Sequence, residues 1–252
     1  MKLSALTLGL GLAMSTGAHA IPFFQPNLTL EPIGQHQTGV FDEGAAEVVA
    51  HDPRNQRIFK VNAAATTVDV LDINDPTNPT LMSTIDASTL GASANSVAVH
   101  KGIVAVAIEA EDSQAPGLVA FYDAVDLSLI NTVTVGALPD MVTFTPNGRY
   151  VLVANEGEPN DDYTVDPEGS VSVIDLRHGV ANASVRTADF TRFNGMEDEL
   201  RARGVRLFGP NASTAQDLEP EYITVSGNSR FAWVSLQEAN ALALVDIQPL
   251  GT

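Results

Sequence analysis

Carboxylates are the side chains of this sequence best suited to chemistry, and many of them stand in one loop. Residues 154–176 read ANEGEPNDDYTVDPEGSVSVIDL, in which an acidic stretch separates two apolar, strand-like segments. The stretch carries six carboxylates: Glu156, Glu158, Asp161, Asp162, Asp166 and Glu168. Three more, Asp217, Glu219 and Glu221, lie in QDLEPEY, and Glu238 lies in SLQEAN. Oxygen-rich groups of this kind suit Ca²⁺, which accepts about six to eight oxygen ligands in flexible geometry.

The prediction of Ca²⁺ binding rests on composition, because the loop lacks the ligand spacing of an EF-hand. The pattern does not select Ca²⁺ over other divalent cations. A second interpretation stays open, in which the loop is an acidic flap that is only solvated.

Other kinds of reactive site find little support in the sequence. The absence of cysteine excludes disulfides, thiolate metal sites and a cysteine nucleophile. No G-x-S-x-G, P-loop or H-E-x-x-H motif is present, and the histidines show no metal-ligand spacing. We therefore predict no particular catalytic residue and no organic cofactor.

An internal repeat indicates which elements position the carboxylates. AEVVAHDPRNQRIFKVNA from Ala46, PDMVTFTPNGRYVLVANE from Pro139 and PEYITVSGNSRFAWVSLQ from Pro220 align without a gap. A fourth copy, NSVAVHKGIVAVAIEAE, begins at Asn95 and has a shorter turn. Each copy continues into a third strand that ends in Asp, and three copies continue into a fourth strand. Four-stranded units of about 40–50 residues predict an all-β fold, a β-propeller with WD40- or YVTN-like blades.

The repeat also predicts where the acidic residues meet. Glu47, Ser96, Asp140 and Glu221 fall in one column of the alignment, near the start of the innermost strand. Innermost strands line the central channel of a propeller, so we expect this column to gather at one end of the channel. Adjacent carboxylates repel one another unless a cation or protons neutralise them. The alternative is that these acids cap strands at the blade junctions.

The repeat units divide the chain into blades near residues 44–91, 92–136, 137–190 and 217–252. Between the last two lies an insertion, residues 192–214, in which we predict one short helix that begins after Asn194 as N-cap and ends at Gly204. Known propellers usually need more blades to close into a ring, because an open one leaves bare strand edges. We therefore expect residues 21–252 to be the N-terminal part of a longer propeller whose remaining blades are missing here.

The first twenty residues predict export. Lys2, the apolar run from Leu3 to Met14 and the small residues of Ala18-His-Ala20 have the form of a secretory signal peptide. No later segment is a transmembrane span of about 20 apolar residues. The net charge of −18 repels nucleic acid and attracts divalent cations or basic partners. The expected location is extracellular, periplasmic or on the cell surface.

Several blocks resemble those of the choice-of-anchor I family of exported bacterial β-propeller proteins, some of which carry the description alkaline phosphatase. They are FDEGAAEVVAHDP, NSVAVHKGIVAVAIEAE, the run from VGALPDMVTF to GSVSVIDL, and DLEPEYITVSGNSRFAWVSLQEANALALVDI. The resemblance covers residues 41–247 and implies an extracellular or envelope-attached domain whose C-terminal anchor varies among members. The resemblance does not assign a catalytic role to any residue of this sequence.

Three functions follow as hypotheses. The first is a Ca²⁺-binding module that presents its acidic surface to a ligand or to the cell envelope. The second is a metal-dependent phosphomonoesterase, in which carboxylates hold the cations that bind a phosphate ester and activate water. The third, a lactonase-like hydrolase, rests only on the general similarity among propellers with this repeat.

Overall fold

The computed structural model describes residues 29–248, and the signal peptide predicted over residues 1–20 lies outside them. The chain divides into two compact units, Met1–Pro32 and Ile33–Thr252. In the first unit the described residues, 29–32, form no regular secondary structure. The second unit contains every helix and strand given below.

The strands of the second unit form four antiparallel sheets, and in each sheet the strands follow one another in chain order. Sheet 1 consists of β1 (Val49–Asp52), β2 (Arg57–Asn62), β3 (Thr67–Asp72) and β4 (Thr80–Asp86). Sheet 2 consists of β5 (Ser93–His100), β6 (Ile103–Glu109), β7 (Pro116–Asp123) and β8 (Leu129–Ala137). Sheet 3 consists of β9 (Pro139–Phe144), β10 (Tyr150–Asn155), β11 (Ser170–Asp175) and β12 (Ser184–Asp189). Sheet 4 has three strands among the described residues: β13 (Tyr222–Val225), β14 (Phe231–Leu236) and β15 (Ala241–Asp246).

Neighbouring sheets pack face to face because the central strands are apolar on both sides. Successive side chains of a strand point to opposite faces. In β6, Val104 and Val106 therefore join the core between sheets 1 and 2, while Ala105 and Ala107 join the core between sheets 2 and 3. The same alternation places residues of β10 in the second core and in a third core, between sheets 3 and 4. Continuous apolar runs such as IVAVAI and YVLVA are therefore required, because both faces of these strands are buried.

The first strands of the sheets lie around a common channel, which identifies the arrangement as a β-propeller. A cavity of about 390 Å³ is lined by residues of β1, β5 and β9 and by Tyr222 at the start of β13. The predicted fold class, an all-β propeller with about four blades present in this chain, is confirmed. No helix formed by residues 29–248 has the length and hydropathy of a membrane span.

The insertion between sheets 3 and 4 contains the α-helix of the described chain, α1 (Glu197–Ala202), which is shorter than the predicted one. Asn194 does not cap it, and Met196 stands at the N-cap position without a side-chain cap hydrogen bond. Instead, the Asn194 Oδ1 atom accepts a hydrogen bond from the N–H of Ala215 at 2.9 Å. Asn194 therefore joins the two ends of the insertion, a contact that local sequence cannot predict.

Candidate functional site

Asp140, the acidic residue of β9, lies at a β-bulge. Pro139 pairs with Asn155 and Met141 pairs with Ala154, so Asp140 is an extra residue between two paired ones. A β-bulge of this kind bends the strand and redirects the side chain of the extra residue. Asp140 is half-buried and lines the channel cavity.

Sheet 2 contains the same bulge, in β5. It shows that the residue equivalent to Asp140 lies one position before the one that the sequence alignment indicated. The register of β5 on β6 breaks between Ala94 and Ser96, which leaves Asn95 as the extra residue. Asn95, and not Ser96, is therefore the structural equivalent of Asp140. Ser96 is buried, and its Oγ atom accepts a hydrogen bond from the N–H of Val142 at 3.2 Å. The sequence alignment placed Ser96 in the acidic column because this copy has a shorter turn, so its register against the three gap-free copies was not fixed.

The other two acidic residues of the aligned column, Glu47 and Glu221, occupy equivalent positions in sheets 1 and 4. The N–H of Glu47 donates to the carbonyl oxygen of Val61 at 3.4 Å, and the N–H of Glu221 donates to that of Ser235 at 3.1 Å. Both residues therefore lie where the innermost strand meets the end of the second strand. One end of the channel thus receives three carboxylates and one amide, from Glu47, Asn95, Asp140 and Glu221.

The acidic loop, residues 156–169, joins β10 to β11 and forms hydrogen bonds with two other parts of the molecule. The Gln216 Nε2 atom donates to the carbonyl oxygen of Asp166 at 2.7 Å, and the N–H of Gly169 donates to that of Ala215 at 3.0 Å. On the side of sheet 2, Gln114 Nε2 donates to the carbonyl oxygen of Glu158 at 3.2 Å. These contacts hold the loop between sheet 2 and the insertion.

A pocket of about 540 Å³ opens between the acidic loop and the insertion, and we call it the acidic pocket. Among residues 29–248, none of the side chains that line it is basic. Two aromatic side chains stand at it, Tyr163 from the loop and Phe208 from the insertion, and both are exposed. Its carboxylates come from three separate segments: Glu158, Asp161, Asp166, Asp217, Glu219 and Glu238.

Asp217 differs from the other carboxylates of the pocket because it is buried and both of its oxygen atoms accept hydrogen bonds. Its Oδ2 and Oδ1 atoms accept hydrogen bonds from the backbone N–H groups of Phe208 and Gly209, at 2.6 and 2.8 Å. A Cβ atom at position 209 would lie 2.7 Å from Oδ1, so a glycine permits this approach. Asp217 therefore shapes one wall of the pocket.

Mutual repulsion and burial dominate the electrostatics of the site. Burial, and then the charges of Glu158, Asp140, Glu221 and Glu219, raise the pKa of Glu156 to about 8. Burial, followed by Glu238, Glu158 and Asp217, raises the pKa of Glu219 to about 8. A carboxyl with so high a pKa holds a proton near neutral pH unless a cation replaces it.

The pKa values of three further carboxylates are also raised. The pKa of Asp140 is raised by burial and then by Glu158 and Glu47. The pKa of Glu221 is raised by burial and then by Asp140, Glu238 and Glu158. The pKa of Asp166 is raised by burial and then by Asp217. The charge of Glu158 contributes to four of these five shifts, those of Asp140, Glu156, Glu219 and Glu221.

The structure brings most, but not all, of the predicted metal-binding residues together. Asp162 is turned to its own loop, where it accepts hydrogen bonds from Thr164 Oγ1 at 2.6 Å and from the Thr164 N–H at 3.3 Å. Glu168 is exposed and lines none of the cavities described here. Seven of the other nine line the acidic pocket or the channel: Glu47, Asp140, Glu158, Asp161, Asp166, Glu219 and Glu238. Glu156 and Glu221 line neither, but the pKa of each is raised by carboxylates that do.

The donor set fits a hard cation in chemistry, although its geometry is not that of a ready-made site. Between residues 29 and 248, no three Asp, Glu or His side chains stand in a metal-binding arrangement. The Oδ1 atom of Asp166 is buried without a hydrogen-bond partner, so one acceptor at the pocket is unused. A cation would have to draw several carboxylates inward, which suits the flexible coordination of Ca²⁺ better than the strict octahedron of Mg²⁺.

Sequence reasoning missed the residues that shape the pocket without adding free charge. Gln216 donates to a backbone carbonyl 50 residues before it, Asp217 accepts from two backbone N–H groups of the insertion, and Asn95 is the extra residue of a bulge. For Asp217 alone a signal existed, its place in the acidic segment QDLEPEY.

Comparisons with known proteins agree with this fold. The choice-of-anchor I domain model matches residues 47–251. Among solved structures, a putative 6-phosphogluconolactonase from Bacteroides uniformis matches with a TM-score of 0.52 and 12% identity, over 80% of this chain and 50% of that chain. A functionally unknown protein from Desulfotomaculum acetoxidans matches with a TM-score of 0.52 and 12% identity, over 79% and 51% of the two chains. The Cps50 (Swd1) β-propeller domain from Myceliophteria thermophila matches with a TM-score of 0.50 and 10% identity, over 82% and 53%.

At such low identity these likenesses show the fold alone. The chain spans about half the length of each of the three solved chains. A comparison with curated proteins found no match.

Proposed function

The chain belongs to the choice-of-anchor I family, and from that premise we propose that it is an exported propeller domain that binds Ca²⁺ or another divalent cation at its acidic pocket. The bound cation fixes the acidic loop, and the loaded surface then contacts a ligand or the cell envelope. The observation that carries this proposal is the gathering of carboxylates from the acidic loop, the segment before β13 and the turn between β14 and β15 at one pocket, with no basic side chain among the described residues that line it.

Electrostatic repulsion among these carboxylates explains why a cation is expected. Several carboxylates that are half-buried near one another destabilise the folded chain when all are ionised. Protons neutralise the cluster only up to about pH 8, the pKa of Glu156 and Glu219. A divalent cation does so above that pH as well, and it gains oxygen ligands without loss of the fold.

The test is calcium binding by the purified chain after dialysis against chelator. We expect CaCl₂ to bind in isothermal titration calorimetry and to raise the melting temperature, with a smaller effect from MgCl₂. The variant with Glu158→Gln and Glu219→Gln should lose most of the increase, while Asp162→Asn should keep it, because Asp162 is bonded within its own loop. A melting curve that millimolar Ca²⁺ leaves unchanged would overturn the proposal.

A second candidate is a metal-dependent phosphomonoesterase, and the size of the acidic pocket favours it. A volume of about 540 Å³ accommodates a phosphate ester together with cations. Bare carboxylates would repel the phosphate, so this activity requires the cations, which would bind the phosphate oxygens and activate water. The assay is phosphate release from an aryl phosphate between pH 7 and 10 with added Ca²⁺. Activity should disappear with chelator and in Glu156→Gln or Glu221→Gln, and chelator-insensitive release would contradict it.

A further inference from the structure

One arginine lies next to the acidic pocket, in a fixed position. Arg206 belongs to the insertion, and its N–H donates to the carbonyl oxygen of Ala239 at 2.9 Å. Its Nη2 atom lies 3.4 Å from the carbonyl oxygen of Gln237. On the same side, Asn240 Nδ2 lies 3.4 Å from the carbonyl oxygen of Gly204. These bonds seat Arg206 on the turn between β14 and β15.

The cavity in front of Arg206 adjoins the acidic pocket. It measures about 310 Å³ and is lined by Arg206, Phe208, Gln237 and Glu238. Phe208 and Glu238 also line the acidic pocket. A small ligand at the boundary of the two cavities would therefore meet both a guanidinium and the carboxylate cluster.

Arg206 has no carboxylate partner within ion-pair distance in the part of the chain that the structure describes. The ion pairs there are Lys60–Asp69, Arg177–Asp175, Arg203–Glu199 and Arg230–Asp246. Among the arginines that the structure describes, only Arg177, Arg203 and Arg230 form such a pair, so Arg206 is distinguished by its place at a cavity that adjoins the acidic pocket. Its charge is left to interact with something other than the protein's own carboxylates.

We propose that Arg206 binds the anionic group of a ligand whose other contact is the cation in the acidic pocket. This inference rests on the proposed cation binding, because only a loaded pocket would accept an anion at its edge. The ligand class is a small oxyanion, either a phosphate monoester or a sugar carboxylate. The planar guanidinium can donate two parallel hydrogen bonds to either group, which a lysine cannot do.

The test measures the binding of two probes, phenylphosphonate and glucuronate, to the full chain with and without saturating Ca²⁺. We expect at least one probe to bind only with Ca²⁺ present. Arg206→Gln should weaken that binding about tenfold and leave Ca²⁺ affinity unchanged. Arg206→Lys should fall between the two, since it keeps the charge and loses the paired hydrogen bonds.

Arg203→Gln is the matched control, because Arg203 lies in the same insertion, is exposed and pairs with Glu199 at 3.7 Å. It should bind the probe like the wild type. If Ca²⁺ binds and neither probe does, or if Arg206→Gln binds the probe as the wild type does, this inference is overturned and the cation site stands. If Ca²⁺ itself does not bind, the proposed function fails first, and the composite site fails with it.

Discussion

The carboxylate of Asp217 accepts a hydrogen bond from the backbone N–H of Phe208 at 2.6 Å. Phe208 is 62% exposed and lines both the acidic pocket and the cavity of Arg206. A buried acid thus holds the backbone of a residue that lines both the carboxylate-rich pocket and the cavity of Arg206. Together with the bond from the N–H of Gly209, the bond from Phe208 links the insertion to the candidate site.

Asp217→Ala should therefore damage both stability and binding. The substitution leaves the N–H groups of Phe208 and Gly209 without their acceptor, at a cost of about 1–3 kcal/mol in the free energy of unfolding. Urea denaturation measures this loss, and calcium titration of the folded variant should show weaker binding. Asp189→Ala is the control, because Asp189 is exposed and bonds only to Thr191. Equal stability of Asp217→Ala and the control would contradict the assigned role.

Stability without divalent cations should fall as pH rises from about 4.5 to about 8. The folded pKa of Glu156 and Glu219 is about 8, against 4.5 as the ordinary value, so in this range the folded state holds protons that the unfolded state has released. Their contribution to stability is complete below pH 4.5 and is lost as pH rises through about 8. Acids whose pKa is lowered, such as Asp75 and Asp86, act below pH 3.8 and do not oppose this trend.

Melting temperatures in chelator between pH 5 and 9 check this expectation. The variant with Glu156→Gln and Glu219→Gln should show a flatter profile, and Ca²⁺ should restore the stability of the wild type at pH 9. A wild-type melting temperature that rises steadily across this range would show that the cluster is not strained by its own charge.

Two acids of the same loop should differ in their effect on calcium affinity. Glu158 faces the acidic pocket and raises the pKa of both Glu156 and Glu219, whereas Asp162 bonds to Thr164. Because affinity for Ca²⁺ depends on the number of charged ligands, Glu158→Gln should lower it roughly tenfold. Asp162→Asn should leave it within about twofold of the wild type. Calorimetric titration distinguishes the two, and equal losses would mean that the loop acts only through its total charge.

The buried ion pair of sheet 1 predicts a non-additive effect on stability. Lys60 Nζ lies 2.8 Å from Asp69 and also donates to the carbonyl oxygen of Ala45 at 2.6 Å. Lys60→Met leaves the Asp69 carboxylate without its cation and should cost about 3–5 kcal/mol in the free energy of unfolding. Adding Asp69→Leu should recover much of that loss, as a double-mutant cycle in denaturant would measure. Simple additivity would argue that the two side chains do not interact.

The outward face of sheet 4 should make the isolated chain self-associate. Leu242 and Leu244 of β15 are 72% and 61% exposed, and Trp233 and Tyr222 are exposed beside them on β14 and β13. Adjoining exposed apolar side chains of this kind favour association. Leu242→Lys with Leu244→Lys should lower the apparent mass in light scattering, while Leu81→Lys, at an exposed site on sheet 1, should not. An unchanged mass would place the contact elsewhere.

The sequence by itself determined the propeller, because each unit of the repeat must bury both faces of its central strands. Runs such as IVAVAI in β6 and YVLVA in β10 are apolar at every position for that reason. It also determined that the acidic loop joins the second and third strands of sheet 3, since the repeat leaves that loop as the additional segment.

Tertiary structure alone decided which acids share a site. Asp162 and Glu158 look equivalent in the sequence, yet Asp162 closes a local turn, whereas Glu158 lines the acidic pocket and raises the pKa of Glu156. A bulge, which depends on pairing with a neighbouring strand, displays Asn95 in place of Ser96. Phe208 lines the acidic pocket, and Arg206 lies beside it, because the insertion folds back onto the turn between β14 and β15. Such contacts join residues far apart in the chain, so no local pattern encodes them.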